Sequence, residues 1–122
     1  MTNIEIAYMY RDASNYKAHG AVIVSNPRGR SIRSINRSLE EALEQLSSWP
    51  DILLLRPELV GLPPVFLFDG EFEKNEDDHC WHEINSVSET TKDVTDPAGR
   101  SIDQLLTAVR ITHRTMRGQT LR

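Results

Sequence analysis

The sequence predicts an α+β fold: a small single domain with an N-terminal antiparallel β-hairpin, a short mixed or antiparallel sheet and two amphipathic helices. Three observations predict it. Residues 3–11 alternate between apolar and polar positions, and residues 21–25 form a short β-branched run. Two capping boxes, Ser38-Leu39-Glu40-Glu41 and Ser101-Ile102-Asp103-Gln104, each open an apolar stripe at helical spacing. The chain has 122 residues, which fits one domain over 1–122 with enough interior for a real core.

Taken in order, Ile4, Ile6, Tyr8 and Tyr10 share one face of the first strand, with Glu5, Ala7, Met9 and Arg11 on the other. Ala21-Val22-Ile23-Val24-Ser25 is apolar on both faces, which suits a central strand, and Asn26-Pro27 ends it. Residues 12–20 hold Asp, Ser, Asn and a closing Gly20, so they read as the long loop of the hairpin. Ser38 and Glu41 predict a helix over 38–48, with Leu39, Ala42, Leu43 and Leu46 as its stripe and Trp49-Pro50 as its stop. The apolar runs 52–55 and 65–68 are candidate short strands, separated by Pro57, Gly61, Pro63 and Pro64. Residues 69–79 read as an acidic loop and 80–90 as a strand of poor alternation. Ser101 predicts a second helix over 101–115, running to about Met116, with Ile102, Leu105, Leu106 and Val109 inward. The chain reads as free of internal repeats, low-complexity tracts and second-domain linkers.

Composition limits the function classes. The N-terminus lacks the basic and apolar regions of a secretory signal, no apolar run is long enough to span a bilayer, and Cys80 is the only cysteine. A cytoplasmic protein without membrane partners is expected. The net charge of −4 is segregated: residues 69–96 carry ten acids against two lysines, whereas residues 1–38 carry six Lys/Arg against two acids. That balance argues against nucleic acid as a partner, even though Arg110, His113, Arg114 and Arg117 share one face of the last helix. Cations there complement the negative helix end.

Two segments could carry chemistry. Asp77-Asp78-His79-Cys80-Trp81-His82-Glu83 collects imidazole, thiol and carboxylate, the ligand types that borderline metals take. Its strand phase divides them, since Cys80 and His82 share one face while His79 and Glu83 take the other. No metal or cofactor is therefore expected. Cys80 lacks a base within reach, because side chains two apart on a strand stand about 7 Å apart, and its acidic surroundings raise a thiol pKa. The stronger candidate is Tyr8 to Lys17, which holds all three tyrosines, two cations, a carboxylate and a carboxamide. Tyr8 and Tyr10 close the end of the core, and their hydroxyls need partners that Arg11, Asp12 and Asn15 can supply locally.

The spacing of Tyr8, Tyr10, Arg11, Asp12, Asn15, Tyr16 and Lys17 resembles a family of small bacterial proteins that open with Y-x-Y-R-D-x-x-N-Y-K. Gly61-Leu62-Pro63, His79 and Trp81-His82-Glu83 resemble later fragments of the same pattern. The family has no established activity, so the resemblance implies no catalytic residues. It does imply that the first motif and Trp81-His82-Glu83 belong to one arrangement. The expected function is a non-enzymatic accessory or interaction protein that binds another protein or a small polar ligand. Its binding residues are Tyr8, Tyr10, Arg11, Asp12, Asn15, Tyr16, Lys17, His82 and Glu83, with Glu83 placed to pair with Arg11 or Lys17. The alternative is a small metal-assisted hydrolase using Asp78, His79, His82 and Glu83.

Overall fold

The computed structural model describes residues 2–11, 17–43, 53–63 and 82–120. Four strands, β1 (Asn3–Arg11), β2 (Lys17–Val24), β3 (Leu54–Leu55) and β4 (His82–Thr90), form one sheet in the order β2-β1-β4-β3. Every pairing is antiparallel. Two helices, α1 (Ile32–Leu43) and α2 (Ile102–Thr120), bury one stripe each in the same core as one face of the sheet. Ile4, Ile6 and Tyr8 of β1 and Val22 and Val24 of β2 meet Ile35, Leu39 and Leu43 of α1 and Ile102, Leu105 and Val109 of α2. The α+β architecture follows from that alternation of a period-2 face with two period-3.6 stripes. Among the described residues no helix is long and apolar enough to cross a membrane.

Several boundaries differ from the sequence reading, each for a physical reason. The hairpin loop is shorter than residues 12–20, because the ladder already closes at Arg11 opposite Lys17. Gly20 is therefore a strand residue, opposite the large ring of Tyr8. The 21–25 run belongs to β2, an edge strand of the sheet, and β1 lies in the interior between β2 and β4. Only Val22, Ile23 and Val24 of β2 are buried on both faces, and at that end the strand's outer edge is covered. The amides of Thr95 and Asp96 donate to the Ile23 carbonyl, the Ile23 amide donates to Thr95 Oγ1, and the Ile102 amide donates to the Ser25 carbonyl. Such cover removes a bare edge that could pair with other chains. The poor alternation of 80–90 has a cause as well. The ladder between β1 and β4 shifts between Ala7 and Tyr8, so Ile84 faces Tyr8 while Val87 faces Ile6. That bulge changes the strand's phase, and both Ile84 and Val87 pack on the core.

The first helix starts earlier than Ser38. Its cap is Ser31, whose Oγ accepts from the Ser34 amide at 3.1 Å. The box at Ser38 is the stronger local signal, but Ile32 and Ile35 extend the stripe of Leu39 upstream, and burial of that stripe outweighs the local capping signal. Ser38 lies inside the helix, where its Oγ accepts from Arg30. Residues 44–48 lie outside the described residues. The second helix is capped as expected, with Gln104 and Ser101 exchanging side-chain and backbone bonds at 2.9 and 3.2 Å. Its helical backbone continues to Thr120. Of the middle segment, Leu54–Leu55 is a two-residue strand and Pro57–Val60 a 3₁₀ turn. Residues 65–68 and 69–79 lie outside the described residues.

The chain does contain a repeat. Val24-Ser25-Asn26-Pro27-Arg28-Gly29-Arg30-Ser31-Ile32 and Val94-Thr95-Asp96-Pro97-Ala98-Gly99-Arg100-Ser101-Ile102 share the pattern V-[ST]-[ND]-P-x-G-R-S-I. Both copies fold alike. The glycine amide donates to the carbonyl of the Asn or Asp, at 3.1 Å for Gly29 and 2.9 Å for Gly99. The arginine amide donates to the same residue's side-chain oxygen, at 3.0 Å for Arg30 and 2.9 Å for Arg100. Gly29 and Gly99 adopt φ of 60° and 64°, a conformation that strains any residue with a Cβ. In each copy serine then caps a helix whose first residue is isoleucine.

Candidate functional site

The loop end of the β1–β2 hairpin is anchored by three buried rings. Tyr8, Tyr10 and His82 are 1%, 0% and 0% exposed. The register puts His82 opposite Tyr10 on one side and Leu55 on the other, so Leu55, His82, Tyr10 and Ala18 form one row across the sheet. The imidazole lies 5.4 Å from the Tyr10 ring and 6.0 Å, edge-on, from the Tyr8 ring. These are separations at which aromatic pairs attract beyond simple burial. The Tyr8 hydroxyl donates to the Pro63 carbonyl at 2.6 Å, and burial pushes its pKa above the ordinary value. Residues from three distant segments thus meet: Tyr8 and Tyr10, Leu62-Pro63, and His82.

The predicted residues divide into an interior and a rim. Tyr8, Tyr10 and His82 form the interior. Glu83 is half-buried on the opposite face of the sheet, across from Met9 and Leu54 and one diagonal step in the ladder from Arg11. Arg11 and Lys17 are the last paired residues of the hairpin, and Lys17 is exposed. Asp12, Asn15 and Tyr16 lie outside the described residues. So do Asp78, His79, Cys80 and Trp81. His82 and Glu83, the two described members of the alternative hydrolase cluster, point to opposite faces of β4. Among the described residues no three His, Cys, Asp or Glu side chains come together in a metal-binding group.

Two arginines outside the Tyr8–Lys17 and Asp77–Glu83 segments organise the rest of the molecule. Arg100 donates through Nε and Nη2 to both oxygens of Asp96, at 3.0 and 2.8 Å, and through Nη1 to the Val60 carbonyl at 2.7 Å. The Asp96 side chain is fully buried, and it also accepts from the amides of Ala98 and Arg100. The Arg100 side-chain bonds hold its carboxyl below the usual carboxylate range, against the opposing effect of burial. Arg30 instead reaches away from its own turn. Its Nη2 donates to Ser34 Oγ and Ser38 Oγ, each at 2.8 Å, and its Nη1 meets Asp103 Oδ1 of α2 at 3.3 Å. The repeated N/D-P-x-G-R was the signal that could have found both.

No protein-family model, curated protein or solved structure matches the chain.

Proposed function

We propose that the chain is a non-enzymatic interaction protein that engages a protein or small polar ligand through the Tyr8–Lys17 segment, with a protein as the favoured partner. The observation that carries this reading is the packing of His82 against Tyr8 and Tyr10. It makes the end of the hairpin a rigid mount for Arg11, Lys17 and the five residues between them. Binding residues are characteristically held this way, on a loop positioned by a stiff scaffold. On this reading the buried rings position the loop, while Arg11, Asp12, Asn15, Tyr16 and Lys17 meet the partner and Glu83 supports them from the adjacent strand. Cationic and aromatic groups together give directed hydrogen bonds and large contact area, the mixture that interface hot spots favour. A cytosolic setting in a small bacterial protein family belongs to the same proposal, supported by the lone cysteine and the Y-x-Y-R-D-x-x-N-Y-K opening.

The test is affinity capture from the native host with three versions of the chain, each also followed by thermal unfolding. Arg11→Ala and Lys17→Ala should keep the wild-type melting temperature and lose a partner that the wild type retains. Tyr10→Ala should lower the melting temperature. A partner set unchanged by the two cation substitutions contradicts the reading, as does their unfolding the chain.

A further inference from the structure

A second region, sharing no residue with the hairpin end, has the makings of a ligand site. A cleft of about 490 Å³ opens between the turn that ends at Arg30, the second half of α1 and the first turns of α2. That volume lies within the range typical of small-molecule sites. Its apolar floor is Ala42 and Leu106, both of which belong to the core.

The charges around the cleft differ in how far they are already committed. Arg30 is occupied by Asp103, Ser34 and Ser38, so its charge is largely satisfied. Arg28 and Arg110 stand exposed on the same cleft with no hydrogen-bond or ion-pair partner among the described residues. Guanidinium groups pair with planar or tetrahedral oxyanions through two parallel N–H donors, so two unpaired arginines lining one cleft suit a carboxylate or phosphate. Acceptors are left over as well. Glu41 lines the cleft unpaired among the described residues, and Thr107 uses its hydroxyl hydrogen on the Asp103 carbonyl, leaving its oxygen free to accept. Asp103 Oδ2 is buried without a donor. A donor-less buried acceptor is costly, and at 3.3 Å the Arg30–Asp103 pair is loose enough for the carboxylate to turn toward one.

These two sets of groups define the ligand. A bare anion would satisfy Arg28 and Arg110 but would sit beside the Glu41 carboxylate. A ligand carrying an ammonium group would satisfy Glu41 but would face three guanidinium groups against two carboxylates. Neutral hydroxyl donors next to an anionic head meet both demands. We propose that this cleft binds a small hydroxylated oxyanion, a carboxylate or phosphate group carried on a polyol. The head is held by Arg28 and Arg110, and the hydroxyls donate to Glu41 and Asp103.

Glycerol 3-phosphate is a suitable probe, with inorganic phosphate as its comparison, each titrated calorimetrically into the full chain. Saturable one-to-one binding of glycerol 3-phosphate is expected, weakening at least about tenfold in Arg28→Ala and in Arg110→Ala. Arg33→Ala, an exposed cation on α1 outside this cleft, should bind as the wild type does. Glu41→Gln should narrow the preference for glycerol 3-phosphate over inorganic phosphate, because it removes the carboxylate that repels the bare anion. All four positions are exposed, so each variant should fold. Absence of saturable binding overturns the proposal, and so does an equal loss in Arg33→Ala, which would mean diffuse surface charge. Inorganic phosphate binding as tightly as glycerol 3-phosphate would overturn the role given to the hydroxyls.

Discussion

The two copies of V-[ST]-[ND]-P-x-G-R-S-I share a backbone and differ in what their arginine does. In the second copy Asp96 supplies a carboxylate inside the turn, and Arg100 folds back onto it in a bidentate pair. In the first copy the same position is Asn26, whose side-chain amide donates to the Arg30 carbonyl and offers the guanidinium no charge. Arg30 therefore extends to α1 and to Asp103 of α2. One copy is closed upon itself and ties the β4–α2 connection to the 3₁₀ turn through Val60. The other links two helices and borders the cleft. A change from carboxylate to carboxamide thus separates a local staple from a long-range bridge.

The largest expected effect is at the closed copy. Arg100→Ala leaves a fully buried carboxylate without its counter-charge and should cost about 3–5 kcal/mol in denaturant unfolding. Arg30→Ala removes a partly exposed pair and should cost only about 1 kcal/mol. Acid sharpens the contrast. Because the Asp96 carboxyl titrates below its ordinary value in the folded chain, the unfolded chain takes up the proton first as pH falls. The stabilisation is complete above about pH 4, the ordinary aspartate value, and is lost as pH drops toward the lower folded pKa. A plot of unfolding free energy against pH should lose part of its acid slope in Asp96→Asn, whereas Asn26→Asp, which gives the first turn a carboxylate for Arg30, should add some.

Where the copies are alike, substitutions should behave alike. A Cβ at Gly29 or at Gly99 would meet nothing within 4 Å, so each Gly→Ala change should cost only the positive-φ strain, about 1–2 kcal/mol. A large difference between the two would mean that the turns are not equivalent. Ser31→Ala and Ser101→Ala should each cost about 1 kcal/mol as lost helix caps. Ser38→Ala should cost less, since Arg30 keeps its bonds to Ser34 and Asp103. A larger loss at Ser38 than at Ser31 would restore the helix start at Ser38.

Much of the fold was legible because its signals are local. The alternation of Ile4, Ile6, Tyr8 and Tyr10 identifies a buried face, and Ser101 with Gln104 marks a helix start. What escaped depended on partners distant in sequence. β4 could not be phased because its bulge exists only against β1. The Ser38 box outshone Ser31 because the burial of Ile32 and Ile35 is a tertiary fact. Of the candidate site, a contact of His82 with a tyrosine was anticipated from the two motifs; the register supplies it at Tyr10, but in the interior and not on a shared surface. The cleft was not anticipated, since it draws on residues near 28, 41 and 107 that only the packing of α1 on α2 unites.

The central claim is that Arg100 is a strongly coupled staple on the carboxylate at the head of its own turn, whereas Arg30, whose turn offers none, is a weakly coupled bridge. Double-mutant cycles on the two ion pairs test it most directly, using alanine at Asp96 and Arg100 in one cycle and at Arg30 and Asp103 in the other. The account predicts a coupling of about 3 kcal/mol or more for the buried pair and below about 1 kcal/mol for the bridge. Equal couplings, or a larger one between Arg30 and Asp103, would contradict it.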